Sequence, residues 1–154
     1  MKKITCPPEE NKIHNIGWEA GEWTDKWYAA DTFTLVNDPA LAHEGNWVMR
    51  MDGTYGNWKY LFDKMELLPN TEYTATMYAK AKHTSENDNS FWNVNYNMGA
   101  HPFGYFYFNY DDQWHYYTFD FRTGSVETNP DPYAFVVADS GGTIYVDDIY
   151  VFEK

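Results

Sequence analysis

Tyr73-Thr74-Ala75-Thr76-Met77-Tyr78-Ala79-Lys80 sorts its residues into two sets by simple alternation. Tyr73, Ala75, Met77 and Ala79 fall on one side, and Thr74, Thr76, Tyr78 and Lys80 on the other. Successive side chains along an extended backbone point to opposite faces, so this stretch reads as a half-buried β-strand.

The same period recurs outward from it. In 91–98, Trp92, Val94, Tyr96 and Met98 oppose Asn93, Asn95 and Asn97. Tyr105-Phe106-Tyr107-Phe108-Asn109 sets two Phe against two Tyr and an Asn. Tyr117, Phe119 and Phe121 mark a further strand, 143–152 forms the last, and 32–36, 46–51 and 58–62 supply others. Turn signals separate the runs: Asn37-Asp38-Pro39, Asp52-Gly53, Pro69-Asn70, Asn129-Pro130-Asp131-Pro132 and Gly141-Gly142. Helical periodicity over three turns is absent. Many short strands with regular punctuation predict an all-β fold, a β-sandwich or jelly roll of two antiparallel sheets. A length of 154 residues suits one domain over 1–154, with 1–12 as a linker-like N-terminus.

Composition narrows the partners. Aromatics make up 20% of the chain, with 7 Trp and 14 Tyr. Tyr and Trp tolerate a wet surface, so some of these rings are expected to be displayed for recognition. The formal charge is −12, from 11 basic against 23 acidic residues. Phosphate backbones and anionic membranes select for Lys and Arg, which argues against nucleic acid. A neutral ligand or a hard cation fits better, although acidity also serves to keep a secreted protein soluble. No apolar run reaches the length of a membrane-spanning helix. Cys6 stands alone, so no intrachain disulfide forms.

Catalytic signatures are missing from the sequence. There is no Gly-rich phosphate loop and no nucleophile elbow. The histidines, His14, His43, His83, His101 and His115, lack metal-pair spacing. A glycosidase needs two carboxyl groups across a cleft. Asp111, Asp112 and Asp139 are candidates by number alone, and acids on loops usually just solvate them. No catalytic residue is assigned.

Five segments, in order, resemble the carbohydrate-binding modules of families 4, 9, 16 and 22. Asn15-Ile16-Gly17-Trp18-Glu19 is similar to their Asn-x-Gly-Phe-Glu opening. His43-Glu44-Gly45-Asn46-Trp47 is similar to their His-Ser-Gly element before a strand. Leu68-Pro69-Asn70-Thr71-Glu72-Tyr73-Thr74 matches a Leu-x-Pro-Gly-x-x-Tyr-Thr turn, with Asn for Gly. Trp114, Tyr117, Phe119 and Phe121 match a Trp-x-x-Tyr-x-Phe-x-Phe strand, and Tyr145-Val146-Asp147-Asp148-Ile149 matches a closing Tyr-Ile-Asp-Asp-Val. The resemblance implies a jelly-roll module that holds polysaccharide and puts Trp18, Trp47 and Trp114 in the core. It also implies a structural calcium, with carboxylates from Glu19 and Asp147, carbonyls from the turn at Glu44 and Asn46, and Asp148 in reserve.

The ligand-binding residues follow from alternation instead. Aromatic rings cover the C–H face of a sugar, and amides answer its hydroxyls. If their strands share a sheet, Tyr78, Asn93, Asn95, Tyr105, Tyr107 and Asn109 build one face of rings and amides, with Trp58 and Tyr60 at its margin or in the core. Three alternate Asn in one strand are poor strand formers and ask for a reason beyond stability. The expected function is non-catalytic binding of a β-linked glucan, xylan or mannan. The expected setting is a secreted, monomeric module of a larger multidomain enzyme. A small glycoside hydrolase or lyase, and a structural or protein-binding module of a cell-surface assembly, remain as alternatives.

Overall fold

The computed structural model describes the backbone over 27–29, 33–52, 59–83, 91–96, 101–125, 132–138 and 142–154. Side chains are described over 34–52, 65–82, 107–125 and 142–154. All regular structure among these residues is extended: β1 (Trp27–Ala29), β2 (Phe33–Asn37), β3 (Trp47–Asp52), β4 (Lys59–Lys64), β5 (Glu72–His83), β6 (Phe91–Tyr96), β7 (His101–Tyr107), β8 (Trp114–Arg122), β9 (Pro132–Ala138) and β10 (Gly142–Glu153). They form two five-stranded sheets in the orders β1-β4-β9-β6-β7 and β2-β3-β10-β5-β8. Every pairing is antiparallel.

The opening stretch lies within β5, between β10 and β8. Its predicted inner set is the core: Tyr73, Ala75, Met77, Ala79 and Ala81 are buried together with Ile144, Val146, Ile149 and Val151 of β10. The alanines have a packing reason. Ala75 sits between Val151 and Phe119, Ala79 beside Val146, and Ala81 beside Ile144. A narrow central strand makes room for bulky neighbours on both sides at interior packing density. Met49, Met51, Met65 and Met77 fill the rest, and flexible thioethers suit an irregular, aromatic-lined interior. Met65 and Phe108 follow directly on β4 and β7 of the first sheet yet belong to this core cluster. The segments that leave β4 and β7 thus join the core of the second sheet.

Three local features fix the loops. Asn70 adopts a φ of 51°, in the left-handed region where Gly or Asn is favoured, which explains Asn at the position matched to the family's Gly. Thr123 closes the same turn: its Oγ1 accepts from the Thr71 amide at 2.9 Å and donates to the Leu68 carbonyl at 2.6 Å. The hydroxyls of two core tyrosines accept loop amides, Tyr73 from Leu68 and Tyr117 from Asn109, each at 2.9 Å.

Two strands were not expected. β1 has three residues, too few for periodicity. β9 reads Pro132-Tyr133-Ala134-Phe135-Val136-Val137-Ala138, a continuous apolar run after a proline cluster. It pairs on both sides, with β4 and β6, and its apolar run leaves no alternation for the sequence to show.

Candidate functional site

The register of the first sheet collects most of the expected ligand-binding positions. Residues directly opposite in an antiparallel ladder share a face. Tyr107 pairs with Phe91, Phe91 with Val137, and Val137 with Tyr60, giving one row across β7, β6, β9 and β4. Tyr105, Asn93, Phe135 and Phe62 form a second row on the same face, extended by Tyr28 of β1. Asn95 and Tyr133 follow in a third. Tyr60, Asn93, Asn95, Tyr105 and Tyr107 thus share one face of one sheet, while Phe91, Phe62, Tyr133 and Phe135 join them unexpectedly. The last two belong to β9, which alternation did not detect. Tyr107 is 58% exposed, and the next residue, Phe108, is 3% exposed in the core, so the predicted phase of this strand holds. Asn109 is exposed just beyond β7. Trp58 lies outside the described residues.

Tyr78 is a correction. It lies in the second sheet, on the face opposite Met77 and Ala79, and is 7% exposed. The His43 ring stacks on it with centroids 3.7 Å apart, and Tyr116 flanks it at 5.1 Å. Its outward phase was read correctly, but the 38–46 loop covers it. Trp114 is likewise not a core residue. It is half-buried in the row next to Tyr78 and meets the edge of His43 at 5.4 Å. Trp47 packs against the core as expected, and Trp18 lies outside the described residues.

The loop that covers Tyr78 is held by the acidic pair of β10. Asp147 is fully buried opposite Tyr78. Its Oδ2 accepts the amides of His43 at 3.0 Å and Glu44 at 3.3 Å, and its Oδ1 accepts the amide of Asp148 at 2.9 Å. Desolvation first, and the neighbouring Asp148 charge second, push the Asp147 carboxyl up to about 8, against the pull of those three amides. A register shift of one residue follows Asp147, with Asp148 at a φ of 48°: a β-bulge that turns the second acid toward the loop. Asp148 Oδ2 lies 3.0 Å from His43 Nδ1. Gly45 completes the loop with a φ of 70°.

Donor atoms of His43, Glu44 and Asp148 lie within 4.8 Å of one another and could hold a metal ion. Two carboxylates suit a hard cation, while the imidazole nitrogen, which sequence spacing gave no reason to include, also admits borderline metals. Asn46 is exposed in the same loop, and Glu19 lies outside the described residues. The other acids named from the sequence show no paired-carboxylate arrangement among the described residues. Both Asp111 oxygens lie within 2.9 Å of His115 Nε2, whose hydrogen bond holds that carboxyl below its usual range. Asp112 approaches Lys80 at 4.0 Å, and Asp139 lies outside the described residues.

No family model and no curated protein matches the sequence. Solved structures do match. One is a family 61 carbohydrate-binding module in complex with β-1,4-galactotriose, with a TM-score of 0.68 at 18% identity, covering 94% of this chain and 99% of that one. The chain shares its fold with that module. A family 16 module matches with a TM-score of 0.64 at 19% identity, covering 92% of this chain and 99% of that one. A tandem pair of family 22 modules from Paenibacillus barcinonensis matches with a TM-score of 0.65 at 14% identity, covering 99% of this chain and 52% of the pair. The matches run nearly the full length of the chain, so the expected resemblance to such modules holds at the level of fold.

Proposed function

We propose that the protein is a non-catalytic module that binds a β-linked polysaccharide on the outer face of its first sheet, within a jelly-roll sandwich. The observation that carries this reading is the register that sets Tyr60, Phe91, Asn93, Tyr105 and Tyr107, from the three strands β4, β6 and β7, on one face, with Tyr107 exposed. Rings and amides in adjacent rows suit a chain of neutral sugars, each with an apolar face and a hydroxyl rim. Similarity in fold to a module in complex with β-1,4-galactotriose and to xylan-binding family 22 domains supports the same reading. The module is proposed to act outside the cell as one part of a larger protein, concentrating polysaccharide for an attached enzyme.

Affinity electrophoresis against soluble glucans, xylans, mannans and galactans tests it. Retardation by at least one neutral polysaccharide, without release of reducing ends, is the expected result. Reducing-sugar release would replace binding with hydrolysis, and retardation by none would remove the function.

The metal is proposed to be calcium, held by the carboxylates of Glu44 and Asp148 against the β10 bulge, with carbonyls of the 44–46 turn and Glu19 as further donors. A cation that binds the folded state alone stabilises it by mass action. The melting temperature is expected to fall on chelation and to recover with calcium.

A further inference from the structure

The outer face of the second sheet bears a feature that neutral-sugar binding does not use. One cross-strand row runs Thr34, Arg50, Tyr145, Lys80, Trp114 over all five strands, β2, β3, β10, β5 and β8. At about 4.8 Å per strand it is about 19 Å long. It lies opposite the core face, where Met49, Ile144, Val146 and Ala79 are buried. Its centre places two cations, Arg50 and Lys80, on either side of Tyr145 in a chain of net charge −12, with Asp52 in the adjoining row paired to Arg50. The Tyr145 ring has the Arg50 guanidinium 5.9 Å from its centroid and the Lys80 ammonium at 5.8 Å. Lys82 is exposed in the row beside it, paired with Thr143.

The donors here are held but not consumed. Asp52 grips Arg50 through Nε and Nη2 at 3.0–3.2 Å, which fixes the guanidinium and leaves Nη1 without a hydrogen bond among the described residues. The arginine side chain remains 41% exposed. Lys80 Nζ has a carboxylate no nearer than Asp112 at 4.0 Å, and its three N–H donors make no hydrogen bond among the described residues. Cation–π contact with Tyr145 orients both cations on one ring. A guanidinium, a phenol and an ammonium in consecutive positions offer donors, with strong preference for a charged oxygen acceptor. Trp114, two strand spacings from Tyr145, adds an apolar surface in line.

We infer that this row is a second saccharide site, specific for an oxyanion carried on a polysaccharide, either a uronate carboxylate or a sulfate ester. The anionic group sits between Arg50 and Lys80 at the Tyr145 hydroxyl, and the glycan extends toward Trp114. The inference is independent of which neutral glycan the first sheet takes.

Affinity electrophoresis in gels holding polygalacturonate, dextran sulfate or neutral dextran tests it. An acidic protein is repelled by polyanions at long range, so retardation by one of them needs a local site. The expected result is retardation by polygalacturonate, by dextran sulfate or by both, with none in neutral dextran. Polygalacturonate alone identifies the uronate, and dextran sulfate alone the sulfate ester. Lys80→Gln and Tyr145→Phe, each checked for an unchanged melting temperature, should weaken that binding, Lys80→Gln by about tenfold or more, as expected for losing a hydrogen bond to a charged group. Tyr107→Ala should leave it intact. Retardation by neither polyanion, equal retardation of wild type and Lys80→Gln, or loss of polyanion binding in Tyr107→Ala would each overturn the second site. The last outcome would assign both ligands to the first sheet.

Discussion

Tyr78 and Tyr107 are both tyrosines on the side of the backbone away from the core, each next to a buried residue, Met77 and Phe108 respectively. One is 7% exposed and the other 58%. Alternation does not explain the difference. Tyr78 lies in an interior strand beside Tyr116 and under the 38–46 loop, whereas Tyr107 ends an edge strand. Asp147 draws the His43 and Glu44 amides down onto β10, and the His43 ring lands on Tyr78. Alternation fixes the face a residue belongs to, whereas exposure depends on what the rest of the chain lays over that face. A ring available to a ligand is therefore one that no buried carboxylate has helped to cover.

The sharpest way to break this comparison is within β7 and the residue after it. Phe108→Ala opens a cavity in the core and should cost about 3–5 kcal/mol of stability. Tyr107→Ala should cost no more than about 0.5 kcal/mol, as for an exposed position. It should nonetheless weaken polysaccharide binding about thirtyfold, the effect of truncating an aromatic anchor. Denaturant unfolding and affinity electrophoresis on the same two variants read both effects. A one-residue slip of register would exchange them.

Asp147→Ala tests the covered tyrosine. Losing the acceptor strands three amides under the loop and should cost about 2–4 kcal/mol. If the loop is what hides Tyr78, nitration by tetranitromethane, located by mass spectrometry, should reach Tyr78 in the variant and not in the wild type. Unchanged protection would mean that another part of the chain covers the ring.

A smaller effect sharpens the same point. The Asp147 carboxyl is raised from its ordinary 3.8 to about 8 in the folded protein, so the unfolded chain ionises first as pH rises. The stability contributed by that group is complete below about pH 4 and is lost as pH climbs toward 8. Measured in chelator, the melting temperature of the wild type should fall over that window relative to Asp147→Asn, which does not titrate. A constant difference between the two would show that the three amides hold the carboxylate ionised throughout.

The sequence made some of this legible. The inner set of β5 appears in the core residue for residue, and Tyr107 is exposed beside buried Phe108 as alternation expects. β9 was hidden because its residues 133–137 are apolar throughout and carry no alternation to detect. The resemblance implied a calcium ligand at Asp147 with Asp148 in reserve, but not the bulge that directs one acid to three amides and the other to an imidazole, because a bulge leaves no periodic trace. Tyr78 failed as a binding residue because no local pattern reports a loop arriving from thirty-odd residues upstream.

The column of small residues on β5 has a further consequence, for how such a chain can diverge. Ala75, Ala79 and Ala81 stand where two flanking strands present Val151, Phe119, Val146 and Ile144. An enlargement at any one of them overpacks a filled interior by about 1–3 kcal/mol unless a neighbour shrinks in compensation. In related chains a valine at the Ala79 position should therefore travel with a smaller residue at Val146, and one at Ala75 with a smaller residue at Val151 or Phe119. Substitution across these strands is expected to be paired, while the outer positions of the same strand, Thr74 and Lys82, drift singly.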